Sequence, residues 1–529
     1  MHWADVVAEK LLESGKKHVI SSGITPSGPI HLGSMREILT ADAIVKSINE
    51  KGGDAKLIYI ADNADPLRKV YPFLDEKKYK DFVGRPLAEI PAPKGEGSYD
   101  HYFLKPFFDS LENVGVVPEI VNNYRFYKEG RYKECTKIII EKRDKVREIL
   151  EKISGRQLPK NWFPWTFKDT NGKLCSGNLI KYEWPFVYFK NKKGKEVVNN
   201  LEKGEGKLPW RLDWPSKWKI LGVTFEAFGK DHATKGGSFD TGKRIVKDIL
   251  ESKVPHHIVY EWINLKGKGA MHSSTGLAIS AEEMLRMAPP EVIRWLIMQP
   301  QPNRHVDFDP GLGLLNSVDK YDRIEKEYYE GSLEENSSRA FELSQIKDIS
   351  KYKEQSLPYR HLVTLTQSKG TIEEIENTLL RTGDITELKT SERDRLKSRI
   401  KCIQGWINNH APESVKFEIQ KEPPLIDFSS DDLNRIKQLR KQMKNIIWNP
   451  EKIHDSFYDL QEKYNTPAKE YFRIMYSIIL GKERGPRLGF FFSNNGTEIC
   501  CRKTEFLLEQ IVLTTQSVNN CESNCRMCA

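Results

Sequence analysis

The sequence predicts an α/β protein, in which a doubly wound parallel sheet domain with a β-rich insertion precedes an all-α C-terminal helix-bundle domain. Three observations predict it. Two short apolar runs, one ending at Val19 and Ile20 and one from Ala55 to Asp62, flank a segment of helical periodicity, which is a β-α-β unit of Rossmann type. Over residues 156–208, Trp and Tyr alternate with Lys-Gly turns, the pattern of a small β-rich insertion. Beyond about residue 332 the strand pattern is lost and helical spacing takes over.

In chain order, residues 3–13 place Trp3, Val6, Val7, Leu11 and Leu12 at helical spacing and read as an amphipathic helix. The strand through Val19 and Ile20 runs into the stretch that organises the chain, Ser21 to Glu37, SSGITPSGPIHLGSMRE. A Gly/Pro-rich turn leads there into a helix read from Ser34 to about Glu50, with Ser34 and Glu37 as a capping box. A helix start beyond a strand end presents N–H donors and a positive dipole end, a setting that suits phosphate. His31 stands just before that cap, and Gly33 removes a side chain from its approach; a solvated loop histidine is the plainer alternative. Asp62 and Asp65 follow the second strand at the edge where a ligand should sit, as an acidic pair for an amine or as caps of the next turn.

Residues 99–152 read as mostly helical and end in a charged, solvated face. The sheet domain returns with LPWRLDWPSKW at 208–218 and FEAFGKDHATKGGSFDTGKRIVKDIL at 225–250, where Ser238 reads as the cap of a helix. Trp210, Asp213 and Trp214 combine aromatic faces with a carboxylate, which suits a cation; core packing is the competing reading of the tryptophans. HHIVYEWINLKGKGAMHSSTG, 256–276, is a strand followed by a Gly-rich loop, and residues 281–311 hold helices broken at Pro289 and Pro290. The helical remainder includes a segment with Arg435, Lys437, Arg440, Lys441 and Lys444 in close succession, either a solvated face or a grip on a phosphate backbone. Cys521, Cys525 and Cys528 fall in a tail read as disordered.

Composition bounds these readings. With 38% hydrophobic and 30% charged residues, the 529-residue chain has an ordinary globular balance, and no window approaches the ~18 apolar residues of a membrane span. Eight cysteines, five of them after position 499, do not make a disulfide framework, so a reduced cytoplasmic setting is expected. The N-terminus reads as neither signal nor transit peptide, and the net charge of +9 modestly favours a polyanionic partner.

TPSGPIHLGS resembles the HIGH signature of class I aminoacyl-tRNA synthetases, with His31, Leu32, Gly33 and Ser34 in its four places, Ser34 standing where a second His would be. The preceding GITPSG narrows the resemblance to the class I lysyl-tRNA synthetases of archaeal type and their glutamyl and glutaminyl relatives. WRLDWP, GKDH with GGSFD, and GPRLG follow in the family's order. The resemblance implies a Rossmann-type catalytic domain and ATP-dependent ligation of L-lysine to tRNA(Lys) through a lysyl-adenylate, releasing AMP and pyrophosphate. It implies that Pro26, His31, Gly33, Ser34, Asp231, Gly236, Gly237 and Met271 hold ATP, and that Gly23, Thr25, Trp210, Asp213, Trp214 and His232 hold the amino acid. At the family's second motif, KMSKS, Ala270 and Thr275 replace the expected lysines beside His272, Ser273 and Ser274; Lys266 and Lys268 lie just upstream and could reach the phosphates instead. His31, Gly33, Ser34, Lys266, Lys268, Ser273 and Ser274 are therefore the expected catalytic set.

The same resemblance divides the chain into 1–98 and 209–265 as the halves of the catalytic domain, 99–208 as a connective insertion, 266–331 as a KMSKS-like loop and stem-contact region, 332–515 as an anticodon-binding domain and 516–529 as the tail. Magnesium is expected with ATP. No structural zinc is expected, since Cys175 is the only cysteine from 156 to 208 and four ligands cannot be assembled there. A monomer without membrane contact is expected. The competing readings are a glutamyl-type synthetase, which would need a basic pocket for its substrate, and a non-catalytic tRNA-binding paralogue whose second motif has decayed.

Overall fold

A computed structural model describes residues 1–191, 194–267, 269–270, 279–420, 428–443 and 449–495. They fall into two compact units, one of residues 1–309 and 320–352, the other of residues 310–319 together with the described residues from 353 onward.

The first unit is built on a five-stranded, all-parallel sheet. Its strands are β1 (Lys17–Ile24), β2 (Asp54–Ala61), β3 (Glu119–Asn122), β4 (Phe225–Gly229) and β5 (His256–Tyr260), in the spatial order β5-β4-β1-β2-β3. The register pairs Ile20 with Leu57 on one side of β1 and with Phe225 on the other. Ile58 and Ile60, two residues apart and so on one face, join Val121, Phe228, Trp214, Trp218, Phe239 and Val246 in a core cluster. The last four of these come from two helices that pack together, α2 (Trp210–Leu221) and α3 (Ser238–Asp248). Tyr59, on the opposite face, meets Phe107 and Phe108 of the helix Tyr99–Asn113. Helix α1 (Leu32–Glu50) packs on β1, β2 and β4, and twelve of its residues are buried, as befits a connection enclosed by protein. Strand β3 lies inside the stretch read as helical: four residues with three exposed carry too little pattern to be seen beside four helices.

The insertion forms two small antiparallel sheets, one of Thr166–Lys168, Leu174–Cys175 and Gly206–Lys207, the other of Asn178–Glu183, Phe186–Lys190 and Glu196–Asn200. Every regular element among the described residues of the second unit is a helix. The helices Ser430–Met443, Pro450–Tyr464 and Ala468–Leu480 share a core with Leu488, Phe491 and Phe492, and Thr371 with Glu374 forms a reciprocal capping box at Ile372–Thr382. In GPRLG, a Cβ on Gly489 would lie 2.1 Å from the Pro450 carbonyl oxygen, so this close approach admits only glycine. Among the described residues no helix is long and apolar enough to cross a membrane.

Candidate active site

The chain leaves β1 towards β2 and β3 on one side and returns with β4 and β5 on the other. That reversal opens a crevice at the C-terminal ends of β1 and β4, the place where open parallel sheets bind ligands. Helix α1 starts beside it at Leu32, two residues earlier than the sequence suggested. Its N-cap is His31, whose ring Nδ1 accepts the Gly33 N–H at 3.0 Å, while the Ser34 N–H donates to the His31 carbonyl at 2.9 Å. Ser34 is therefore a half-buried residue of the first turn, and the Ser34/Glu37 capping box is corrected, because the His31 ring reaches the helix start first. The Leu32 N–H donates to the Ile279 carbonyl at 3.0 Å, and His31 bridges Ser280. The first amide donors are thus engaged within the protein, and what the helix start still offers an anion is its dipole. With Nδ1 accepting, the neutral ring carries its hydrogen on Nε2, as a donor. A Cβ on Gly33 would lie 2.7 Å from both His31 Cε1 and Nδ1, so glycine is what lets the ring fold back over the helix start.

Glu37, one turn into α1, points its carboxylate across the end of β1. Oε1 accepts from Ser22 Oγ and from the Gly23 N–H, both at 3.0 Å, and Oε2 accepts from the Tyr260 hydroxyl at 2.6 Å. Burial raises its pKa above the usual carboxylate range against these three bonds, with the Asp231 charge adding to the rise. Glu37 and Tyr260 were missed as site residues. The available signal was the pair Ser21 and Ser22, polar residues in the second half of an apolar central strand that needed partners.

The acidic residues expected to hold a ligand amine hold the protein's own. Asp62 Oδ1 accepts from Lys217 Nζ, and Asp213 Oδ2 lies 2.9 Å from the same ammonium; Asp65 Oδ1 accepts from Lys207 Nζ. Tyr127 donates to Asp213 Oδ1, and Asn123 donates to Asp62 Oδ1 at 3.0 Å. All five charged side chains are at most 8% exposed, so each carboxylate needs its cation. Burial disfavours the two ammonium charges, yet Asp213 and Asp62 hold the Lys217 pKa above its ordinary value, and Asp213 and Asp65 do the same for Lys207. This corrects Asp213 as a ligand residue: it is fully buried and already paired, and the cation over the Trp210 face, 5.1 Å from its centroid, is Lys217. The i,i+4 spacing of Asp213 and Lys217 in WRLDWPSKW was the signal for this pair. Nothing in the sequence announced Lys207.

Trp210, Trp214 and His232, by contrast, are brought together. The two indoles stack with centroids 5.3 Å apart at 14°, and His232 lies 6.0 Å from the first and 5.4 Å from the second. Behind them Glu226 Oε2 accepts the indole N–H groups of Trp214, at 3.0 Å, and Trp218. Burial pushes the Glu226 carboxyl up to about 7 despite these bonds. From pH 4.5, the ordinary carboxyl value, to pH 7, folded Glu226 keeps a proton that the unfolded chain releases, so its contribution falls as pH rises, by up to about 3 kcal/mol. Glu226→Gln is expected to match the parent near pH 4.5 and to be more stable at pH 8, as measured by urea unfolding at both pH values. Parallel pH profiles for the two proteins would contradict it.

Among the other expected residues, Pro26 is buried in the loop after β1, and Asp231 is exposed, 3.6 Å from His232 Nε2. Gly236, at φ 74°, donates to Asp240 Oδ2 at 3.0 Å; Gly237 is the N-cap of α3, and Ser238, read as the cap, is its first helical residue. Lys266 extends an exposed side chain to within 3.2 Å of Asp309 Oδ2. Lys268, Met271, His272, Ser273, Ser274 and Thr275 lie outside the described residues, as does the cysteine tail.

The class this fold and edge define is a Rossmann-type α/β protein with its ligand crevice between β1 and β4 and a histidine-capped helix at that crevice. The profile of the family described as tRNA synthetases class I (K) matches residues 1–347. A lysine–tRNA ligase of Thermoplasma acidophilum is 39% identical over 502 residues, covering 94% of this chain and 97% of its own. One of Archaeoglobus fulgidus is 39% identical over 505 residues, covering 94% and 98%. Among solved structures, a glutamate tRNA ligase from Elizabethkingia meningosepticum aligns over 93% of this chain and 99% of that one, with 13% identity and a TM-score of 0.42. The chain belongs to the class I (K) tRNA synthetase family.

Proposed function

We propose that this chain ligates L-lysine to tRNA(Lys) in two steps. The lysine carboxylate attacks the α-phosphorus of ATP, forming lysyl-adenylate and expelling pyrophosphate; a terminal ribose hydroxyl of the tRNA then attacks the activated carbonyl, and AMP leaves. No side chain becomes covalently attached, so the protein contributes placement and charge compensation. The likeness to lysine–tRNA ligases over almost the whole chain supports the reading, and the observation that carries it is Glu37. It is a carboxylate at the crevice, bonded to a hydroxyl, an amide and a phenol, with no cation against it among the described residues. The lysine ε-ammonium supplies that cation.

In this reading Gly23, Thr25, Trp210, Trp214 and His232 complete the amino-acid pocket. Pro26, His31, Gly33, Ser34, Asp231, Gly236, Gly237 and Met271 surround ATP, with the His31 Nε2–H and the dipole of α1 meeting its phosphates. Magnesium enters with ATP and offsets phosphate charge. Lys266 or Lys268, with Ser273 and Ser274, meets the departing pyrophosphate. The helical second unit reads the anticodon, and the protein works as a cytoplasmic monomer.

A glutamyl-type substrate would need a free cation in the crevice, whereas Lys207 and Lys217 are both spent on aspartates. ATP–pyrophosphate exchange with magnesium and each of lysine, glutamate and glutamine, with and without tRNA, tests the reading. Exchange with lysine alone is the expected result. Exchange with glutamate in the presence of tRNA would favour the glutamyl side, and no exchange from protein that still retains tRNA on a filter would make the chain a binder.

A further inference from the structure

Thr25, the first residue after β1, donates its hydroxyl hydrogen to Asp65 Oδ2 at 2.9 Å. The other oxygen of the same carboxylate accepts from Lys207 Nζ, and Lys207 closes the insertion on the strand Gly206–Lys207. A hydroxyl has one hydrogen and two lone pairs. Once the hydrogen is committed to Asp65, Thr25 Oγ1 can only accept from a ligand. We propose that Asp65, locked by Lys207, is a positioning residue that sets the polarity of Thr25, so that the end of β1 presents an acceptor to an ammonium group of the amino acid and turns away a hydrogen-bond acceptor.

Three observations support the assignment. Asp65 and Lys207 are 8% and 6% exposed, so solvent does not compete for either group. Burial alone would raise the Asp65 pKa, but Lys207 and Lys217, with the Thr25 hydroxyl, hold it below the ordinary range, so the carboxylate stays a pure acceptor across the physiological span and the Thr25 hydrogen keeps its direction. The backbone fixes the residue as well: the Asp65 N–H donates to the Asp62 carbonyl, and its own carbonyl accepts the Leu87 N–H at 2.9 Å. Both backbone groups of Asp65 are thereby engaged, which fixes the carboxylate that points the Thr25 hydroxyl.

This assignment rests on the lysine reading above. Its test is Asp65→Asn in the full-length protein, read by ATP–pyrophosphate exchange. Asparagine fills the same space, but with its oxygen toward Lys207 its amide donates to Thr25 and turns the hydroxyl hydrogen toward the ligand. The KM for lysine is expected to rise about 10-fold, the scale of one hydrogen bond to a charged group, with little change in the KM for ATP. In a Thr25→Val background the same substitution is expected to have almost no further effect, the coupling that marks action through Thr25 and that a purely structural role would lack. Should Asp65→Asn fail to fold, the pair Asp65→Leu with Lys207→Met removes both buried charges together and leaves the Thr25 hydroxyl without a group to point it; the lysine KM is then expected to rise while Thr25 is present and to be unaffected in the Thr25→Val background. A lysine KM left unchanged in a folded variant, or an effect of full size without Thr25, would overturn the assignment. Absence of lysine-dependent exchange in the parent protein would instead overturn the functional reading beneath it.

Discussion

Lys217→Met lowers the stability of the sheet-containing unit by about 3–5 kcal/mol, the expected result of leaving buried carboxylates without their cation. Asp62 and Asp213 are 8% and 0% exposed, and Lys217 is the ammonium bonded to both. Methionine fills the stem but returns no charge, so one carboxylate must take up a proton or draw in water. The loss is a large part of the ~5–15 kcal/mol that holds a domain folded. Urea unfolding followed by tryptophan fluorescence reads it directly, since Trp210 stacks on Trp214 and lies against the Lys217 ammonium. A loss under about 1 kcal/mol would mean that the network tolerates an unpaired charge, against expectation for groups this deeply buried.

Glu37→Gln is expected to cost roughly 100-fold in kcat/KM for lysine, about 2.7 kcal/mol, with the KM for ATP little affected. The amide keeps an acceptor for Ser22 and Gly23 but cannot balance an ammonium. The pH profile separates charge from shape. Because burial raises the Glu37 pKa, lowering the pH protonates it sooner than an ordinary carboxylate, and lysine activation falls on that acid limb. In Glu37→Gln the limb disappears along with most of the activity. Unchanged discrimination between lysine and glutamine in this variant would place the ammonium elsewhere.

The elements that position the site were legible where a local pattern suffices. The runs at Val19 and Ala55, the helix between them and the glycine before α3 each carry their signal within a few residues, and they lie where expected except that the helix starts at Leu32 and not at Ser34. The family was legible for the same reason, since GITPSGPIHLG is contiguous. What escaped depends on partners far apart in the chain. Ser34 and Glu37 have capping-box spacing, but the His31 ring competes for the helix start and Glu37 finds Tyr260, 223 residues away. Asp62 and Asp65 advertise an amine site, and spacing cannot tell that Lys217 and Lys207, 155 and 142 positions on, have already taken the role. The three-exposed-residue strand β3 shows the complementary failure, an element whose existence is decided by its neighbour β2.

The buried Asp65–Lys207 pair and the Asp62–Lys217–Asp213 triad also constrain how this sequence can drift over generations. A surface charge can be lost singly at little cost, but the first loss from either group passes through an intermediate with an uncompensated buried ion. Descendants of this chain reach a different arrangement there only by paired replacements, or after stability gained elsewhere has made room for the deficit. Over long divergence, the two strand-end aspartates and the lysines that meet them should therefore be inherited as blocks, each kept or exchanged as a whole.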